Sequence, residues 1–433
     1  MRQHISFAAV ALLFGTAYPL ITPPFEVPDE VGHFWHASSI AYGYLDRGLP
    51  VMPRGFRIIV WALWTPERGR HLTAEKMRLA RGVQLEHRVR VPLRTPAYYS
   101  AAAYVPQIGA ALITRVVGAR PFFGFYAGRL ATLSASVAFI LLASWIAPQF
   151  RDHFHAVSLL PMSLFLFGSW SADAMTIASA LLVTAVLLRA ILSDAPMSRL
   201  EMIALICASA WLSLCKPSYI LATLLALTIP RSRFESAARR FASVGILLLV
   251  VIAAATLSVW LTMSTAVAFP RSDIPVDARA QVQFIADDPL RFAGVLAHDL
   301  RVNGVDYIKT MTGRFGMYDV SLPAPVTFVL LAMLVGIGLL NGPSLPPRGR
   351  TLTLFVVAVI FISILTYLYV TSSVAGGTTI EGTQGRYLLP ILPLILAALR
   401  VSRLRLPVPH ATIVTIAVGA NAVAIFVLLG RYW

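Results

Sequence analysis

Apolar stretches long enough, or nearly long enough, to cross a bilayer recur along this chain, and its charges are confined to the segments between them. They fall at about 5–22, 125–147, 155–172, 174–193, 199–215, 217–230, 242–264, 325–342, 351–372, 386–400 and 410–430. A helix needs roughly 20 apolar residues to span the ~30 Å hydrocarbon core. In that core only helices and closed barrels satisfy their own backbone groups. Charged residues make up 13% of the 433 positions, where a soluble domain carries about 25%. The pattern predicts an all-α polytopic membrane protein with about eleven transmembrane helices. The first apolar segment runs into prolines and acids rather than a small-residue cleavage site, so it reads as a retained helix.

The net charge of +16 is almost all arginine, with lysine only at positions 76, 216 and 309. The arginines lie in connections between apolar spans. That argues against nucleic acid as a partner and for positive charge holding cytoplasmic loops in place. Cys207 and Cys215 share one apolar segment two helical turns apart, a spacing that does not suit a disulfide.

Charge also sets the orientation. One further stretch, Pro96 to Val117, is interrupted by Pro106 and Gln107 and carries Tyr98, Tyr99 and Tyr104. With the N-terminus cytoplasmic and this stretch lying in the interface, the cytoplasmic connections hold Arg151, Arg189, Arg199, Arg231, Arg233, Arg239, Arg240, Arg348, Arg350, Arg400, Arg403 and Arg405. The short turns around Ser171 and Lys216, on the other face, hold almost none. If Pro96 to Val117 crosses instead, the bias inverts. The chain thus divides into a transmembrane module at 1–264, with a first external loop at 22–95 and a juxtamembrane helix at 96–117. An external region at 265–323 comes next, then C-terminal helices at 324–433 with an external turn at 373–386.

Candidate chemistry gathers where polar residues interrupt apolar ones on that external face. PPFEVPDEVGHFWH (Pro23 to His36) places Asp29, Glu30, His33 and His36 directly after the first span. If Pro28 opens a helix, Asp29, His33 and His36 share a face. One reading is a general base assisted by histidine or a metal; the other is helix capping by acids at a helix start. Glu26 reads as a solvated loop acid. Asp173, in GSWSADAM, is either functional or, like Ser171, a cap of the next helix. Lys216, in LCKPSY, either snorkels to the interface or binds a lipid phosphate as a point charge. Glu381, Gln384, Arg386 and Tyr387 lie in the glycine-rich GGTTIEGTQGRYLLP, where exposed amides can help cradle an anion. Arg386 enters the membrane on the side where no topogenic arginine is needed, so a phosphate is its better explanation. Trp35, Tyr42, Tyr44, Trp61, Trp64, Tyr98 and Tyr99 form an interfacial belt, some of whose rings can also stack on sugars. No GxxxxGK[ST], HExxH or GxSxG motif is present, which removes support for ATP-driven transport and zinc proteolysis.

These motifs, PPFEVPDEVGHF, SADAM, KPSY and EGTQGRYLLP, resemble a bacterial family of membrane proteins called domain of unknown function 2142, over roughly residues 5 to 400. That family in turn is similar to the GT-C superfamily of integral-membrane glycosyltransferases. The resemblance implies a GT-C-like bundle in the bacterial inner membrane, active on its extracytoplasmic face. It implies a sugar taken from a polyprenyl-phosphate donor and passed to a cell-envelope glycan, lipid or protein acceptor. Asp29 then matches the first-loop acid and Asp173 an acid of the second external turn, with Glu30 and His33 beside them in catalysis. Lys216 and Arg386 would bind the donor phosphate, and Glu381, Gln384 and Tyr387 the substrate. Where such enzymes use a divalent cation, Mg2+ or Mn2+, Asp29, His33 and Asp173 are the residues to hold it, although PDEVGH only approximates the superfamily's acid signatures. Two other functions use the same groups: a non-enzymatic flippase or carrier of lipid-linked saccharides, and a polymerase or ligase of surface polysaccharide.

Overall fold

A computed structural model describes residues 1–43, 51–63, 73–85, 88–90, 99–265, 276–404 and 406–433. Tyr44, Trp64, Tyr98 and Arg405 lie outside the described residues, as do parts of the first external loop. In chain order the helices are α1 (Arg2–Ile21), α2 (Glu30–Ala41), α3 (Arg54–Leu63), α4 (Ala74–Gly82), α5 (Val105–Val116), α6 (Pro121–Ile146), α7 (Arg151–Ser158), α8 (Pro161–Phe167) and α9 (Ala172–Leu192). They continue as α10 (Arg199–Cys215), α11 (Ala237–Thr265), α12 (Ala278–Asp287), α13 (Pro289–Thr312), α14 (Ala324–Leu340), α15 (Pro347–Ser372), α16 (Leu392–Leu399) and α17 (His410–Tyr432). Two short antiparallel ladders accompany them: β1 (Val51–Pro53) with β2 (Arg88–Arg90), and β3 (Arg314–Phe315) with β4 (Val320–Ser321).

Among the described residues, six helices are long and apolar enough to cross a membrane: α1, α6, α9, α11, α15 and α17. The chain is therefore a polytopic helical membrane protein. Of the remaining apolar stretches, those at 199–215 and 325–342 are the 17-residue helices α10 and α14, close to their expected bounds, and the other three are broken up or tightened at prolines. The stretch expected at 155–172 is two short buried helices, α7 and α8, because Pro161 cannot continue the first and instead starts the second. The stretch at 217–230 is a tight 3-10 helix, Pro217–Thr228. The stretch at 386–400 is a 3-10 turn, Gly385–Leu388, followed by α16, with Pro390 and Pro393 between and within them. Helix α5 has 12 residues, about 18 Å at 1.5 Å per residue, well short of a crossing; it lies against α2 and α6.

The bundle has two distinct ends. At one, Asp152 of α7 meets His410 of α17 (3.0 Å) and Asn341 after α14 (3.2 Å), and His410 also lies 3.2 Å from Ser6 of α1. Arg189 reaches the carbonyl of Ile146, Arg233 pairs with Glu201, and Arg400 donates to the carbonyls of Leu339 and Gly342. The arginine-rich short connections belong to this end. At the other end Trp433 Nε1 donates to the carbonyl of Ile21, and Ser100 and Ser258 both donate to that of Leu214.

Between the ends α9 is the central helix, buried along most of its length against α6, α8 and α10. Small residues let these helices approach closely. At Gly128 of α6 a Cβ would stand 2.1 Å from the Trp170 ring, so only glycine lets α6 seat against the turn that leads into α9.

Candidate functional site

The site is built at the end of the bundle away from the arginine-rich connections, and a buried ion pair frames it. Arg129 of α6 and Glu30 of α2 are both fully buried. Arg129 Nε and Nη2 donate to the two Glu30 carboxylate oxygens at 2.9 and 2.6 Å. Its remaining donors bond the carbonyls of Pro19, Thr22 and Pro23 at 2.8–3.1 Å. All five guanidinium donors are thus satisfied. Glu30 also accepts the backbone N–H groups of Phe25 (2.9 Å) and Trp170 (3.0 Å). One pair therefore ties the end of α1, the loop from Thr22 to Asp29, α6 and the entry to α9 into one unit. Both Glu30 oxygens, expected beside the catalytic acid, are thus committed to contacts in the core.

The clamp forces the preceding loop into a tight path. Phe25 and Asp29 both adopt positive φ, 72° and 61°, a conformation that aspartate tolerates better than most residues. Helix α2 starts at Glu30, two residues later than Pro28 suggests, and Asp29 stands at its N-cap without a side-chain cap bond. Capping therefore does not explain Asp29. Its carboxylate is 70% exposed. At the next turn Ser171 is the cap of α9, accepting from Asp173 N at 3.1 Å, and Asp173 points its carboxylate elsewhere.

Asp173 sits between two cations. Lys216 Nζ donates to its Oδ1 at 3.1 Å, and Arg386 Nε lies 3.2 Å from its Oδ2. Arg386 Nη2 is also 3.6 Å from Asp29 Oδ2. Four residues from four distant segments thus converge. Tyrosines wall the cluster: Lys216 Nζ lies 4.7 Å from the Tyr387 ring centre and 5.2 Å from that of Tyr99, within cation–π range. Arg386 is 6% exposed, yet its Nη1 has no hydrogen-bond partner. Leaving a buried charged donor unmade is costly, so this atom marks where an anion would be welcomed.

The turn that carries Arg386 is held from the external region. Gly385 N donates to Thr310 Oγ1 of α13 at 2.6 Å, and a Cβ at Gly385 would stand 1.6 Å from the Tyr307 carbonyl oxygen. Gln281 of α12 straps the other side, accepting from Gly376 N and donating to the carbonyls of Tyr369 and Val374.

His33 faces the cluster from α2, with Nδ1 2.7 Å from the Tyr104 hydroxyl. Burial lowers its pKa against the opposing pull of Asp29 and Asp173. His36 packs on the Tyr104 ring, and burial brings it down to about 4. Neither Asp29, His33 and Asp173 nor any other described residues form a group of three that could hold a metal ion. Lys216 and Arg386 already flank the Asp173 carboxylate, so the donor set does not fit Mg2+ or Mn2+. Glu381 is exposed and, among the described residues, joins no ion pair of the cluster; its amide bonds Ser373 Oγ. Gln384 leaves a buried Oε1 without a partner, and Tyr387 stacks under both cations while its carbonyl accepts from Tyr219. Glu26 is buried, not solvated. Arg129 was missed, although an arginine inside an apolar stretch is itself a signal. Tyr104, Tyr219 and Tyr318 carry no spacing that separates them from belt aromatics.

Bundle and cluster together define a polytopic α-helical membrane protein with a mixed-charge centre where several helix ends meet. The chain belongs to the family described as "Predicted membrane protein (DUF2142)", whose model matches residues 12–395. No curated protein and no solved structure matches it.

Proposed function

We propose that this protein is a glycosyltransferase that moves a sugar from a polyprenyl-phosphate donor to a cell-envelope acceptor. The observation that carries this reading is the convergence of Asp29, Asp173, Lys216 and Arg386 at one end of the bundle, with a buried Arg386 donor left open. In this reading α7 with α8, α10, Pro217–Thr228, α14 and the 385–399 segment complete eleven crossings in a GT-C-like arrangement. The arginine-rich end then faces the cytoplasm of a bacterial inner membrane and the cluster faces outward.

The reaction breaks the bond between the sugar's anomeric carbon and the phosphate oxygen. The acceptor hydroxyl oxygen takes that carbon, its proton passes to the Asp29 carboxylate, and polyprenyl phosphate departs. Lys216 and Arg386 stabilise the charge that grows on the leaving phosphate. Asp173 holds both cations in place between turnovers, and His33, neutral at pH 7, orients the acceptor through its free ring nitrogen.

The test is Asp29→Asn in cells lacking the gene, with lipid-linked and envelope glycans profiled by mass spectrometry. The expected result is restoration of the missing glycan by the wild type and a rate lower by about 10²-fold or more for the variant. Full restoration by the variant removes the base and favours a carrier, which needs the cations but no proton acceptor.

A further inference from the structure

A groove of about 350 Å³ runs between α13 and the glycine turn, outside the cation cluster. Ligand sites in proteins start at about 300 Å³, so there is room here for one small molecule or one unit of a chain. Arg291, Gly294, Val295 and His298 line the groove from α13, and residues 376–378 form the opposite wall. The four α13 residues recur at offsets of three, four and seven, which puts them on one helical face. Gly385 sits on the carbonyl of Tyr307, thirteen residues beyond Gly294 along α13. That is about 20 Å at 1.5 Å per residue, too far for one sugar to fill both places.

The lining has a definite chemistry. No acid belongs to it, and two of its residues are basic. Arg291 and His298 are both exposed, and among the described residues neither side chain makes a hydrogen bond or an ion pair. The Arg291 guanidinium lies 5.2 Å from the Phe284 ring centre, a contact that steadies it without using its N–H donors. Acids close by in sequence are bonded within the external region. Asp287 accepts from Gln283, Asp288 from the Arg291 backbone, and Asp299 from Asn303 and Tyr307. Gly294 opens the floor, because a Cβ there would meet nothing within 4 Å. A guanidinium, an imidazole, the Thr378 hydroxyl and the apolar surface of Val295 together match an anion carried on a hydroxylated frame.

We propose that this groove binds an anionic polyol: a carboxylate or phosphate on a sugar or glycerol frame. The Arg291 fork takes the anion, and His298 and Thr378 take neighbouring hydroxyls. Binding requires nothing of the transferase reading. On that reading the occupant is an acidic unit of the acceptor chain, well away from its reacting end. A sugar acid and a phospholipid headgroup present the same chemistry, so the probes have to separate them.

The experiment uses the full chain in nanodiscs of zwitterionic lipid, read by saturation-transfer-difference NMR. The probes are methyl glucuronide, glycerol phosphate and the neutral methyl glucoside. Wild type is expected to give a saturable signal with at least one of the two anions, and the tighter of them names the source. The neutral glucoside is expected to bind at least about ten-fold more weakly, and Arg291→Gln to lose about ten-fold for the anion, the worth of a charged hydrogen bond. Gly294→Leu is expected to fill the groove and abolish the signal. Its melting temperature is expected to match or exceed that of wild type, since the position faces open space and leucine favours a helix more than glycine does. No saturable signal with either anion overturns the inference, as does glucoside bound as tightly as glucuronide. Anion binding that survives in Gly294→Leu also overturns it, by moving the ligand to Arg386. The expected pattern in a protein that transfers no sugar upholds the groove and sinks the transferase.

Discussion

Glu30 and Asp29 are neighbours in sequence with opposite environments, one sealed in the core and the other exposed. What separates them is Arg129, ninety-nine residues away. Local pattern placed acids at a membrane mouth but had no means to divide their roles, because the dividing contact is long-range. Removing one partner of a buried pair strands the other charge, at a cost of about 3–5 kcal/mol. Arg129→Met and Glu30→Gln are each expected to lower the melting temperature in detergent sharply, whereas Arg129→Met with Glu30→Met is expected to recover part of the loss. Additive losses in the double variant would remove the clamp. Asp173, Lys216 and Arg386 were legible as site residues because each interrupts apolar sequence at the same face; that they touch was not.

Histidine supplies the pH dependence at this scale. Burial lowers His36 to about 4 from an ordinary 6.5, so the folded state disfavours the proton that the unfolded chain accepts. This contribution is therefore complete above pH 6.5 and is lost as pH falls toward about 4. Thermal melts from neutral pH down to about pH 4 are expected to show stability falling, and His36→Gln is expected to flatten that slope. An unchanged slope would place the acid sensitivity elsewhere.

Among the elements, the long helices were visible in the sequence because apolar length is a strong signal, and α1, α6, α9, α11, α15 and α17 appear close to where it put them. The short pieces were not. Pro161, Pro217, Pro390 and Pro393 sit inside runs whose hydropathy is continuous, and hydropathy is blind to a broken hydrogen-bond ladder. The turn at Gly385–Leu388 shows why this matters. It holds Arg386 because its backbone lies directly on α13, closer than any side chain permits. Gly385→Ala is expected to push the turn off α13 and to reduce the proposed glycan transfer by at least about ten-fold, since small displacements of positioned groups cost rates of this order or more. Gly419→Ala, on α17 with nothing within 4 Å, is expected to transfer like wild type. Equal activity of the two variants would show that the α13 contact does not position Arg386.

For the whole molecule, the charge pattern separates two ends. The arginines of the short connections share one end with His410 and Asp152, and the site shares the other with Trp433 and Ile21. In a background with Cys207 and Cys215 replaced by serine, Asp29→Cys is expected to react with a membrane-impermeant maleimide on intact spheroplasts. Arg403→Cys is expected to react only after permeabilisation. Labelling of both from outside would invalidate the topology. The length of the helices was less legible than which connections share an end, because alternation of ends survives when a helix breaks while length does not.

The reach of Arg129 back to the carbonyls of Pro19, Thr22 and Pro23 also imposes an order of events. When the first helix leaves the ribosome, its far rim still lacks the cation that satisfies it, and the Glu30 carboxylate beside it has no counter-ion. Both have to stay wet until a second hydrophobic stretch is threaded and delivers residue 129. Biogenesis of this end is therefore a two-helix event: the rim of the first helix and the head of the sixth enter the dry interior together.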